Sequence, residues 1–319
     1  KYEICNNSMI TEKPQYKPDI SPYLQFLLFI GVTLVLLFLG NIIASFAIVS
    51  LYNIDTLKNI AAMNLSTPMA IKAMWMLQII GMTIPLLLTP IVFGRFIMKE
   101  PDAYLKINIR FPPVLLIMIF SIMVMSTPIM EVLVLVNQKM VLPDFLKGLE
   151  NWMRASEQSA QKITGALLKM NTWVDLVKAV LLIGLITAIA EELMFRGCLQ
   201  TILIRWTKNI HVAIWITAAL FSAFHLEFFG FLPRLMLGVF FGYFAAWSGS
   251  IWPAVWAHFI NNASAVVITY LFQHKKIDVN PDEAHSFNYS LYVLSIIITV
   301  ALFWSYRTSA LQKKDHQQY

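Results

Sequence analysis

The chain has 319 residues, of which 58% are hydrophobic and only 13% charged, against roughly 25% charged in soluble domains. That excludes an ordinary soluble domain and implies an integral membrane protein. The formal net charge is +6, but the basic residues are scattered through short loops between apolar runs. Retention of loops at a membrane surface accounts for them, and no nucleic-acid partner is expected.

The first 22 residues, KYEICNNSMITEKPQYKPDISP, form a polar tail unlike the apolar centre of a signal peptide. With no initial methionine, the numbering is expected to start inside a longer chain. Of the two cysteines, Cys5 lies in this tail and Cys198 in an apolar helix, so neither a disulfide framework nor a paired thiol metal site is indicated. Spanning takes about 20 mostly apolar residues, and only helices or closed barrels satisfy the backbone in lipid. The long continuous runs favour helices. The expected fold class is an all-α, polytopic membrane bundle of about eight transmembrane helices at 23–51, 73–94, 113–136, 173–205, 210–226, 230–247, 251–273 and 286–306. These make one membrane domain, 23–306, followed by a polar C-terminal tail, 307–319. Between the third and fourth spans, PDFLKGLENWMRASEQ sets Phe145, Leu146, Leu149, Trp152 and Met153 opposite Lys147, Glu150, Arg154 and Glu157. This predicts an amphipathic helix capped by Asp144 and lying at the interface, with a gate over a site as the second reading. An even number of spans puts both termini on one side, and the Lys and Arg count slightly favours the cytoplasm.

Ionisable residues inside a membrane are costly and face a bundle interior, a cavity or one another. Those present are Glu131, Glu191, Glu192, Arg196, His225 and His258, with the amide of Asn262. In AIAEELMFRG, Glu192 and Arg196 are four apart on one helical face and can neutralise each other. Glu191 projects about 100° away and needs another partner. FSAFH puts Phe221 and His225 one turn apart at the end of the fifth span, and HFINN does the same for His258 and Asn262 on the seventh. Glu191 lies 17 residues before the turn at Lys208 and His225 lies 17 after it, so both sit at one depth, roughly 25 Å from that turn. His258, about 10 Å from the start of its own span, reaches that depth only if the span tilts or begins inside the protein. Glu131 is expected at the interface, and Ser222 and Ser250 as packing or turn residues. A single intramembrane histidine is often a helix-packing hydrogen bonder, whereas two histidines, a glutamate and an asparagine on three helices read together as a site.

EELMFRG, FSAFH and HFINN, in this order, resemble the EExxxR, FxxxH and HxxxN motifs of the CAAX-protease and bacteriocin-processing (CPBP) intramembrane endopeptidases, a group that includes the Ras-converting CAAX protease and the abortive-infection proteins. The resemblance covers about residues 173–273, the expected catalytic core. It implies a membrane-embedded peptidase in which Glu191 and His225 activate water, His258 and Asn262 stabilise the oxyanion, and Glu192, Arg196 and Phe221 act in support. The implied partners are a peptide or protein substrate and the lipid bilayer of a bacterial cytoplasmic membrane. A prenyl-protein substrate does not carry over, because members act on unrelated targets.

The residue chemistry agrees. A carboxylate in a low-dielectric cavity accepts a proton from water near neutral pH, particularly when an imidazole shares the water. Preset donors around an oxyanion contribute about 3 to 4 kcal/mol each. No cofactor is expected. The alternative makes Glu191, His225 and His258 ligands of Zn2+ with one open position, although HExxH is absent. Two non-proteolytic readings remain, a membrane scaffold or immunity protein and a proton-coupled transporter. The paired broken helices of the latter are not evident.

Overall fold

The computed structural model describes residues 20–99, 104–281, 283 and 286–316, with side chains described as far as residue 312. Cys5 and the rest of residues 1–19 lie outside them. Among the described residues every regular element is helical, with no strand. In chain order the helices are α1 (Pro22–Leu51), α2 (Ile54–Ala61), α3 (Pro68–Ile97), α4 (Val114–Met125), α5 (Thr127–Gln138), α6 (Lys147–Leu167), α7 (Trp173–Thr207), α8 (Ile210–Phe224), α9 (Phe231–Ser248), α10 (Trp252–Gln273) and α11 (Tyr289–His316).

Local chemistry explains most boundaries. The Ser21 side chain accepts from Leu24 N–H at the start of α1, and Thr67 does the same for Ala70 before α3. Thr172 and Asp175 form a reciprocal capping box at the start of α7. The α7–α8 turn uses Lys208 in the left-handed region, φ 53°, followed by Asn209 capping His211 and Val212. Gly249, φ 71°, ends α9. Pro128 near the start of α5 cannot donate a backbone hydrogen bond, and the α4–α5 pair bends there by 44°.

The protein is an integral membrane helical bundle. Among the described residues, six helices are long and apolar enough to cross a membrane, and a seventh is counted if bent α4–α5 is one span. The expected eighth, α8, is apolar but only 15 residues long. It rises roughly 22 Å against a hydrocarbon core of about 30 Å. It stops because His225 ends it and Leu226 turns left-handed, φ 55°.

The amphipathic helix is present as α6, but Asp144 does not cap it. Asp144 begins a short 3-10 turn, Asp144–Leu146, with no side-chain capping bond. Phe145, Leu149 and Trp152 point outward, while Glu150 and Met153 are buried against the bundle. Hydrogen bonds, first from Arg154 and then from Leu142 N–H, hold the Glu150 carboxyl below its ordinary range. Its contribution is therefore present at neutral pH and is lost as acid protonates it.

α7 lies at the centre of the bundle, its second half buried on every side from Ala190 to Leu203. α8 and α9 pack on it and on each other at close range. A Cβ on Gly238 would meet the Ala218 Cβ at 3.0 Å and Cα at 3.1 Å, and one on Gly242 would meet Ile214 Cγ2 at 2.7 Å. This small-xxx-small stripe on α9 permits the approach. Gly242→Val is expected to lower stability by about 1–3 kcal/mol through overpacking, measured as a drop in thermal unfolding temperature of the detergent-solubilised protein.

Candidate active site

Glu191 and Glu192 lie in a regular α-helical stretch of α7, Thr187–Glu192, flanked on both sides by wider π-helical turns, Val180–Ile186 and Leu193–Leu199. In these the Thr187 N–H reaches Leu182 O and the Gln200 N–H reaches Phe195 O, five residues back. Such widened turns recur at functional sites because they re-aim side chains.

The side chains of α7 form a polar ladder against α9. Arg196 bonds Glu192 Oε1 at 2.8 Å and donates to Gly238 O at 2.8 Å, and Gln200 donates to Gly242 O at 3.1 Å. The guanidinium also sits over the rings of Phe221 and Phe241, at 4.6 and 5.3 Å. Glu192 Oε1 takes a second bond, from His258 Nδ1 at 2.8 Å. His258 is thus gripped by the pair expected only to neutralise itself, with Phe241 stacked on its ring at 5.1 Å.

Glu191 is buried, and its Oε2 has no hydrogen-bond partner. That atom faces His225 Nε2 at 3.9 Å and His258 Nε2 at 3.7 Å, both beyond hydrogen-bond reach. The Nδ1 of His225 lies 2.9 Å from the Phe221 carbonyl, which can only accept, so Nδ1 carries the proton and Nε2 presents a lone pair. His258 is arranged alike, with Nδ1 donating to the Glu192 carboxylate. A carboxylate oxygen and two imidazole nitrogens therefore converge on one space without bonding one another. Asn262 donates to Ile183 O at 3.3 Å, and its oxygen accepts from Asn261 at 3.2 Å.

Glu191, His225, His258 and Asn262 all line one cavity of about 530 Å³, whose remaining wall is mainly apolar. The four expected site residues are therefore together. Phe221 packs edge-on against both histidines, with centroids at 5.1 and 5.7 Å. His258 reaches this depth because α10 begins inside the protein. Ser250 and Ile251 are fully buried. Ile251 N–H donates to Lys106 O at 3.1 Å and Trp252 Nε1 to Ile107 O at 2.8 Å. Ser250 bonds Asn108 O and Ser222 bonds Phe231 O, as turn and packing residues. Glu131 is half-buried in a separate cleft with Asn261 and Ser264. Among the described residues, no group of three or more His, Cys, Asp or Glu side chains is arranged to hold a metal ion.

Residues 173–264 match the family model described as type II CAAX prenyl endopeptidase Rce1-like. The segment carrying the site is thus similar to the Rce1-like family. That family is a protease family, in agreement with the resemblance of the three motifs. The Rce1-like segment contains all four cavity residues and the Glu192–Arg196 pair. The chain is also 26% identical over 111 residues to the uncharacterized protein YpbD of Bacillus subtilis (strain 168), an alignment covering 34% of this chain and 53% of that relative. The chain thus spans about half the length of the curated relative it matches. No solved structure matches significantly.

Sequence reasoning missed the Glu192–His258 bond, the Gly238 and Gly242 contacts and the 106–108 backbone clamp. Only the glycines left a signal, GVFFG at residues 238–242. The two neighbouring glutamates should respond oppositely to mutation. Arg196→Gln strips Glu192 of its buried counter-charge and is expected to cost about 3 kcal/mol or more. Glu191→Gln turns an amide N–H towards two lone pairs and should unfold at or above the wild-type temperature, as read by scanning fluorimetry.

Proposed function

We propose that the protein is an intramembrane endopeptidase in which Glu191 and His225 activate water and His258 and Asn262 stabilise the oxyanion. One observation carries the reading: an unpartnered carboxylate oxygen, Glu191 Oε2, faces two imidazole Nε2 atoms in a cavity within the membrane bundle. Water in that space donates to Glu191 and to His225 Nε2. Its oxygen attacks the peptide carbonyl carbon, and the released proton passes to the departing amine as the C–N bond breaks. The carbonyl oxygen gains charge beside His258 and the second N–H of Asn262. Glu192, bonded to His258 Nδ1, fixes that ring beside the developing charge.

The chemistry is metal-free on this reading, since carboxylate and imidazole suffice. The apolar wall, including Trp75, Ile79, Leu87 and Ile186, fits a hydrophobic substrate segment. The family description makes a prenylated C-terminal peptide the first probe to try.

Purified protein in lipid nanodiscs is assayed with a quenched-fluorescence farnesylated CAAX peptide, alongside profiling of new peptide termini in membranes from cells carrying wild type or Glu191→Ala. The variant is expected to lose about 10²- to 10⁴-fold in turnover. Equal activity and identical terminal profiles would overturn the enzyme reading in favour of a scaffold. Turnover should also survive chelation and dialysis. Loss restored specifically by zinc would overturn the metal-free mechanism, because zinc lowers the pKa of its bound water to about 7 and takes over the activation.

A further inference from the structure

His225 is the most weakly supported of the four cavity residues from within its own helix. It ends α8, and the chain turns away at once through left-handed Leu226 and the turn Phe228–Gly230. Two elements outside the Rce1-like segment grip that turn. At the end of α5, the fully buried Asn137 bonds both of its edges, donating to Phe228 O at 2.9 Å and accepting from Leu232 N–H at 2.6 Å. From α6, Glu157 Oε2 accepts from Phe229 N–H at 2.8 Å, and the Arg154 guanidinium covers the Phe229 ring at 4.3 Å. Two turns further along, Ile163, Thr164 and Leu167 of α6 form part of the wall of the catalytic cavity.

We infer that α6 is an element of the active site, with Glu157 acting as a positioning residue that holds the turn after His225 while the C-terminal end of α6 walls the substrate cavity. Glu150 and Glu157 of α6 turn inward, towards Leu142 and Phe229, beside the buried Met153 and Leu167, while the apolar Leu149 and Trp152 face outward. An amphipathic helix resting on a membrane for adhesion alone needs no inward carboxylate at this backbone N–H. Glu157 satisfies a donor that the 3-10 turn leaves open, and that turn starts three residues after His225. Releasing it frees the His225 ring to move relative to Glu191, which stays fixed in α7. The inference rests on the proposed role of His225 in the reaction.

Glu157→Ala, Glu157→Gln and the exposed control Lys162→Ala are compared in nanodiscs by two readouts, hydrogen exchange of residues 226–232 and turnover of the farnesylated peptide. Glu157→Ala should exchange about tenfold faster across the turn and lose about tenfold or more in kcat, with KM changed less than about threefold. Glutamine retains the acceptor and should restore both readouts to within about threefold of wild type, and the control should match wild type. Unchanged exchange in Glu157→Ala, unchanged kcat, or failure of glutamine to rescue would each overturn the inference. If wild type itself turns over no peptide, the proposed activity fails, and exchange alone then decides whether Glu157 holds the turn.

Discussion

The buried ion pair between Glu192 and Arg196 is the interaction on which the rest of the site depends. Two charges removed from water need good geometry and additional hydrogen bonds to offset their desolvation. Here Glu192 Oε1 and both terminal guanidinium nitrogens find partners in the architecture, while Glu192 Oε2 and Arg196 Nε do not. The guanidinium bonds the Gly238 carbonyl of α9 and rests against the rings of Phe221 and Phe241, while the carboxylate grips His258 of α10. One pair thereby ties three helices at a single level. Each accessory contact both offsets desolvation and fixes a position relevant to chemistry.

Glu191, the adjacent residue, is the counterpart. It shares the burial of Glu192 but has no donor at Oε2, and its neighbours across the gap are lone pairs. Glu192 Oε2 and Arg196 Nε also lack partners, but the unpartnered oxygen of Glu191 is the one that faces two imidazoles across the cavity, and departures from local consistency mark functional positions. The surrounding shell keeps that residue from collapsing onto a partner. His225 Nδ1 is engaged by Phe221 O and His258 Nδ1 by Glu192, so neither ring can turn a proton towards Glu191 without breaking an existing bond.

The segment that matches the family model does not build its site unaided. Part of the cavity wall comes from α3 and α6. The buried start of α10 is held by the backbone of residues 106–108, and the turn beyond His225 is held from α5 and α6. Elements flanking the Rce1-like segment therefore set the depth of one histidine and the exit of the other.

The amino-acid sequence by itself determined the membrane bundle, because continuous apolar runs have one way to satisfy their backbone in lipid. It also singled out Glu191, His225, His258 and Asn262, which the fold brings to one cavity, because turn spacing and the cost of intramembrane polarity are properties of residue type and order. What it left open has a common physical origin. The length of α8 depended on where a turn could be accommodated, and the absence of an Asp144 cap on a 3-10 turn forming first. The partner of His258, the inward turn of Glu150 and Glu157 on α6 and the burial of Ser250 and Ile251 were decided by tertiary contacts. Helical periodicity sorts side chains onto faces. Only tertiary packing decides which face meets which, and thus which of two adjacent glutamates is paired and which is left facing the cavity.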